Sequence, residues 1–226
     1  KKDALCLGKE STYDFIRSVF SEVSDVFESG IVHVGGDRVQ KADRSDCPHC
    51  KAKMNELSLK DEKELYEYFL ARTNKIAATC GLKAVMRFGD LTLPNGVLCD
   101  CQSDDSAEKA RNGGKVWIDS RFDFSLLYGE LKTESLYEQR DVIENPPIAL
   151  EARLRTEDVP SMKKVGELLF PRLGAFSELA WTKKENRSFA RFNEKLNDYY
   201  RLVEFLPFDH MKKKKAHFKI FKKLSK

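Results

Sequence analysis

Residues 31–40 read IVHVGGDRVQ. The β-branched Ile31, Val32 and Val34 make a run of strand length. Gly35 and Gly36 end it, and an acid and a base, Asp37 and Arg38, follow directly. Taken alone, Asp37 reads equally as a turn or helix-capping residue. His33, inside the strand, reads as a hydrogen-bonded core histidine. What surrounds the stretch decides the fold.

Upstream, residues 11–28 set Phe15, Val19, Val23 and Val26, with Phe20 and Phe27, at helical spacing, and Ser11 is placed to cap that helix. Downstream comes a loop carrying Cys47-Pro48-His49-Cys50, then a helix over about 60–80 with Leu65, Phe69, Arg72 and Ile76 along one side. KAVMRF (83–88), GVLCDC (96–101), KVWIDS (115–120) and IALEARL (148–154) read as further strands. A short helix around SAEKARNG lies among them. Residues 159–182 carry a helix rich in Leu, Phe and Trp, and 188–205 form a final helix through Phe189, Phe192, Leu196, Tyr199 and Leu202. Strands alternating with helices predict βαβ units and a parallel sheet. The pattern fits an open doubly wound sheet or the later part of an eight-stranded barrel, and periodicity does not choose between them.

In either fold, function sits at the C-terminal ends of the strands. That rim holds Asp37 and Arg38, then Arg87, Phe88 and Asp90, then Asp100, then Asp119 and Arg121, then Arg153, Arg155 and Glu157. It reads either as a charged solvated face or as a site.

Composition narrows the classes. The 226 residues are 41% hydrophobic and 11% aromatic, ordinary for a packed protein. No apolar run approaches the ~18 residues of a membrane span, and the first residues, KKDALCLGKE, hold no signal-peptide core. The net charge of +4 hides a contrast. Residues 211–226 hold eight lysines and no acid, so the remainder carries −4. A basic nucleic-acid-binding body is therefore excluded. The tail, with Phe218, Ile220, Phe221 and Leu224 interspersed, suits either a solvated segment or an amphipathic helix against anionic lipid, RNA or an acidic protein. Of the six cysteines, Cys47 and Cys50 have the spacing of half a zinc site. Cys99 and Cys101 are too close in sequence to be its second half, so a short disulfide or free thiols is the expectation.

His33-Val34-Gly35-Gly36-Asp37 resembles the fourth-strand motif H-x-G-G-D-E of glycoside hydrolase family 20, the β-N-acetylhexosaminidases. Residues 12–27 resemble the helix before that strand. Residues 47–77 resemble the loop and helix after it in many bacterial members. LFPRLGAFSELAWT (169–182) resembles the family's late F-P-R-L-x-A-x-x-E-x-A-W segment. Order and spacing agree over roughly 3–205. The resemblance implies an α/β, (β/α)8 TIM-barrel-like domain over residues 1–205, with only about strands 4–8 in this chain, and a basic C-terminal tail over 206–226. It implies a second chain or another protein segment completing the barrel. It also implies a glycan as ligand, a secreted, periplasmic or lysosomal setting, and neither cofactor nor metal.

The same resemblance assigns roles. Family 20 catalysis is substrate-assisted: the substrate's acetamido oxygen attacks the anomeric carbon, an Asp orients that group, and the next Glu protonates the leaving oxygen. Here the Asp is Asp37 and the acid's place holds Arg38, whose guanidinium keeps its proton in proteins. Losing a general acid costs about 10²–10⁴ in rate. The tryptophans that wall the family's acetamido pocket align with Arg44, Phe88 and Arg155, and its Tyr-x-Asp pair aligns with Leu126 and Tyr128. His33 and Glu157 stand at sugar-binding positions. The expected function is a degenerate hexosaminidase-like domain without hydrolase activity, a structural or interaction element of a larger assembly. The alternative is a carbohydrate-binding domain, or a hydrolase with residual or altered activity on N-acetylhexosaminides.

Overall fold

The computed structural model describes residues 5–36, 46–125, 133–134 and 145–202. Along the chain run α1 (Glu10–Val26), β1 (Ile31–His33), α2 (Pro48–Leu57), α3 (Glu62–Thr79), β2 (Lys83–Arg87), β3 (Leu98–Cys101) and α4 (Asp104–Asn112). They are followed by β4 (Trp117–Asp123), β5 (Ala149–Arg153), α5 (Met162–Leu169), α6 (Arg172–Trp181) and α7 (Phe189–Leu202). The chain divides into two compact units, Lys1–Asp119 with Glu144–Ile148, and Ser120–Ile143 with Ala149–Lys226.

Five strands form one sheet in the order β1-β2-β3-β4-β5. The first four pair in parallel, with His33 opposite Val85, Arg87 opposite Asp100, and Cys101 opposite Asp119. Helices α2 and α3 lie between β1 and β2, and α4 between β3 and β4, while residues 88–97 join β2 to β3 without a helix. This is the α/β fold expected, a (β/α)8-type architecture represented by five strands.

In the first unit the core forms where α3 lays Leu65, Phe69, Leu70, Ile76 and Ala77 against Ala84 and Met86 of β2. Tyr13, Ile16 and Phe20 of α1 join the same cluster. Local chemistry sets the helix ends. The Asp61 side chain accepts the Glu64 N–H at 2.9 Å to start α3. Ser103 and Ser106 bond reciprocally to start α4. Both helices close by the same hydrogen-bonded turn: Leu82 N–H reaches Ala77 O at 2.9 Å and Lys115 N–H reaches Ala110 O at 2.9 Å. Trp117 is fully buried and donates its indole N–H to Asn145 O at 3.0 Å.

In the second unit Phe122 and Phe124 pack with Leu179, and the Phe122 ring meets Phe176 edge-on at 5.0 Å between centroids. A separate cluster joins Phe170, Ala175, Phe192, Leu196 and Tyr200. Gly174 is a contact point there, since a Cβ would lie 2.8 Å from the Tyr199 ring.

The structure corrects the sequence reading in places. The α1 cap is Lys9, with no side-chain bond, rather than Ser11. Residues 48–57, expected as loop, are helix α2, begun by Pro48 in its first turn. The late segment is two helices, α5 and α6, rather than one. Of the apolar stripe expected on α1, Phe20 is buried, beside Tyr13 and Ile16 from outside that stripe, while Phe15, Val26 and Phe27 are 57%, 72% and 60% exposed. Among the described residues, no helix is long and apolar enough to cross a membrane.

Candidate functional site

The strand ends of the first unit converge on one carboxylate. Asp100 is the third residue of β3 and its side chain is 1% exposed. Its Oδ2 accepts a hydrogen bond from His33 Nε2 at 2.8 Å and lies 2.7 Å from Arg87 Nη1. Register explains the meeting. Arg87 and Asp100 are partners across the β2–β3 pair, and His33 ends β1 on the other side of β2. The His33 ring is anchored from behind as well, because the Gly35 N–H donates to Nδ1 at 3.0 Å. Nδ1 is thus the acceptor and Nε2 the proton-bearing nitrogen. Both in-plane positions of the ring are engaged by the protein.

The glycines that follow make this possible. Gly36 has φ +117°, a region that L side chains rarely adopt, and an added Cβ would meet Arg87 Cβ at 3.4 Å. Gly35 O accepts the Arg87 N–H at 2.8 Å, which holds the turn against β2. Asp37 is the next residue in the sequence. Asp37, Arg38, Arg44, Leu126 and Tyr128 lie outside the described residues, as does the tail 206–226.

The second unit has a comparable cluster. Asp123 ends β4 with its side chain 7% exposed, and its Oδ2 lies 3.2 Å from Arg155 Nε and 3.8 Å from Arg153 Nη2. Its Oδ1 accepts the Ser125 N–H at 2.9 Å, and Ser125 Oγ accepts the Arg155 N–H at 2.8 Å. Arg155 is here a cation seated on a buried carboxylate. Glu157 lies in the short 3-10 turn Thr156–Asp158 and is exposed. Phe88 follows β2 and donates its N–H to Asp100 O at 2.9 Å. Asp90 is exposed, 3.4 Å from Lys109, and Asp119 is buried.

Comparison with known proteins places this arrangement. The profile of the glycosyl hydrolase family 20 catalytic domain matches residues 1–124. The chain belongs to that family. It is 25% identical to a beta-hexosaminidase of Porphyromonas gingivalis over 224 aligned positions, covering 88% of the chain and 29% of that protein. A beta-hexosaminidase of Akkermansia muciniphila is also 25% identical, over 89% of the chain and 46% of its own length. Among solved structures, the GH20 exo-β-N-acetylglucosaminidase of Vibrio harveyi in complex with N-acetylglucosamine superposes with a TM-score of 0.76 at 21% identity, covering 88% of this chain and 35% of that one. A β-N-acetylhexosaminidase of Bacteroides fragilis gives 0.73 at 23%, covering 90% and 46%. The structural likeness is one of fold. The chain spans less than half the length of these relatives.

Two features escaped sequence reading. Asp100 was one of several strand-end acids, and only the β2–β3 register singles it out as the partner of Arg87 and His33. Cys6, far away in sequence, joins Cys47 and Cys50 in a trio whose sulfurs all lie within 4.8 Å of one another. Among the described residues this trio is the one group with the donors to hold a metal ion.

Proposed function

We propose that this chain is a family 20 hexosaminidase-like domain that has lost glycoside hydrolysis and acts as a structural or interaction element of a larger assembly. Arg38 carries the reading. It follows His33-Val34-Gly35-Gly36-Asp37 where the family's proton donor stands, and a guanidinium does not release its proton under conditions where a glycosidase works. A cation there also opposes the positive charge that develops on the sugar ring. The Arg155–Asp123 pair supports the same reading, because a guanidinium held on a carboxylate lacks the electron-rich aromatic face that stacks on sugar C–H groups.

The partner in this proposal is polypeptide that completes the barrel, whether another part of a longer protein or a separate chain. β1 is a sheet edge, paired with β2 alone among the described residues. Beside it, Leu5, Phe15, Val19, Phe20 and Val34 line a largely apolar groove of about 200 Å³. An unpaired edge next to exposed apolar side chains suits the β/α segments that precede the fourth strand in longer relatives. The lysine-rich tail is proposed to contact an anionic partner, through charge alone.

The test is hydrolysis of a chromogenic N-acetylglucosaminide by the protein in its natural full-length form. Turnover stays at background, and Arg38→Glu alone does not restore it because the pocket walls are also replaced. The second reading, glycan binding, rests on Glu157, exposed at a sugar-binding position. It requires binding on a glycan array that Glu157→Ala removes.

A further inference from the structure

Cys6, Cys47 and Cys50 come from two segments 41 residues apart. Cys6 Sγ lies 3.4 Å from Cys47 Sγ and 3.8 Å from Cys50 Sγ. A disulfide needs about 2.05 Å. Three thiolates around one zinc ion, at about 2.3 Å each in tetrahedral geometry, stand about 3.8 Å apart. The observed spacing is that of the second arrangement.

The backbone is arranged for it. Cys47 is the N-cap of α2, with Pro48 in the first turn. Hydrogen bonds from the His49 and Cys50 backbone reach the Cys47 thiol, and the Gly8 backbone reaches the Cys50 thiol. N–H groups aimed at sulfur favour thiolates, the form that binds metal. Burial pushes the Cys47 thiol up, but those N–H groups and the neighbouring thiols outweigh it, leaving Cys47 below the usual thiol value. Burial pushes Cys50 up to about 11, with the Cys47 and Cys6 thiols adding to the rise. A metal ion, by contrast, would hold all three deprotonated.

Gly8 fixes the approach. A methyl there would overlap the His49 carbonyl and come within 2.7 Å of Cys50 N. The loop before α1 thus lies directly on the turn that starts α2, which is what brings Cys6 to the pair. α2 itself has little else to hold it: Cys50 is its only buried residue, with Met54 partly packed on the core. A ten-residue helix with so little apolar anchorage gains most from a crosslink.

We propose that Cys6, Cys47 and Cys50 form a structural site for zinc, with three thiolate ligands and the fourth position filled from outside the trio. Soft sulfur donors in tetrahedral spacing select a thiophilic d¹⁰ ion over calcium or magnesium. The site ties the segment before α1 to α2. It does so independently of whether the family's hydrolytic chemistry survives.

The experiment is a zinc titration of the reduced full-length chain against a chromogenic chelator, followed by cobalt substitution. The expected result is one submicromolar zinc per chain and a thiolate-to-cobalt charge-transfer band with tetrahedral d–d bands. Cys47→Ser weakens binding beyond the ~10–100-fold that loss of an outer partner costs. Gly8→Ala weakens it without removing a ligand, and Cys80→Ser leaves it unchanged. Should Cys47→Ser fail to fold, zinc protection of the wild-type thiols from maleimide serves instead: Cys6, Cys47 and Cys50 are shielded while Cys80 is alkylated. No zinc uptake by the reduced chain, or no shielding of this trio, would overturn the proposal.

Discussion

The two units each bury an aspartate at the end of a strand and set arginine beside it, yet the two pairs have different histories. In the first, Asp100 takes Arg87 at 2.7 Å and His33 at 2.8 Å, and His33 belongs to the motif that marks the family. In the second, Asp123 takes Arg155 at 3.2 Å, and the family resemblance sets Arg155 at the position of an aromatic wall. On the proposed reading, the first cluster is a scaffold feature kept beneath the family's site, and the second is an ion pair in the place of a pocket wall. Packing and chemistry occupy different residues, so one can persist while the other is replaced.

The comparison can be broken by mutation. The largest effect is expected at Asp100→Ala, which leaves the Arg87 guanidinium, 17% exposed, without its carboxylate. Removing one partner of such a pair costs about 3–5 kcal/mol, read as the fall in urea midpoint. Asp123→Ala should cost less, about 1.5–3 kcal/mol, because Arg155 is 27% exposed and can turn toward water. A larger loss at Asp123 than at Asp100 would mean that the second cluster, not the first, holds the scaffold.

A third clamp, outside both clusters, sets the scale. Arg72 lies 3.6 Å above the Tyr13 ring and forms a two-pronged pair with Glu10 at 2.8 and 3.0 Å. Arg72→Ala is expected to cost about 1–2 kcal/mol in thermal or urea unfolding, mostly through the ring contact. The smallest effect is on pH. The Arg72 hydrogen bond, with help from Lys53, lowers the Glu10 carboxyl from 4.5 to about 2. A lowered carboxyl contributes stability above its unfolded value and loses it as pH falls toward the folded one. The contribution is therefore complete above about pH 5 and gone near pH 2. Because Glu10 is 60% exposed, solvent screening keeps it well under ~1 kcal/mol. A difference between wild type and Glu10→Gln that grows as pH falls would contradict this sign.

What the sequence made legible follows from the range of the interactions. IVHVGG and KAVMRF read as strands because β-branched runs bounded by glycine are local signals, and α3 read as a helix because Leu65, Phe69 and Ile76 repeat at its pitch. α2 did not, since PHCKAKMNEL has no apolar stripe and buries only Cys50. The family was legible in His33 to Asp37 together with residues 12–27, 47–77 and 169–182 around them. The contacts that build the clusters were not. Asp100 is chosen over Asp90 and Asp119 by strand register, and Cys6 meets Cys47 only through the close approach at Gly8. The exposure of Phe15 and Phe27 was equally hidden, because helical spacing says which residues share a face and not what covers it.

The central claim, that the family's chemistry is gone while its fold remains, is tested most directly by hydrolysis of a chromogenic N-acetylglucosaminide. The comparison is between the natural full-length protein and its Asp37→Asn variant. The account predicts background release from both, with no difference between them. Turnover above background by the wild-type protein, abolished in Asp37→Asn, would contradict it.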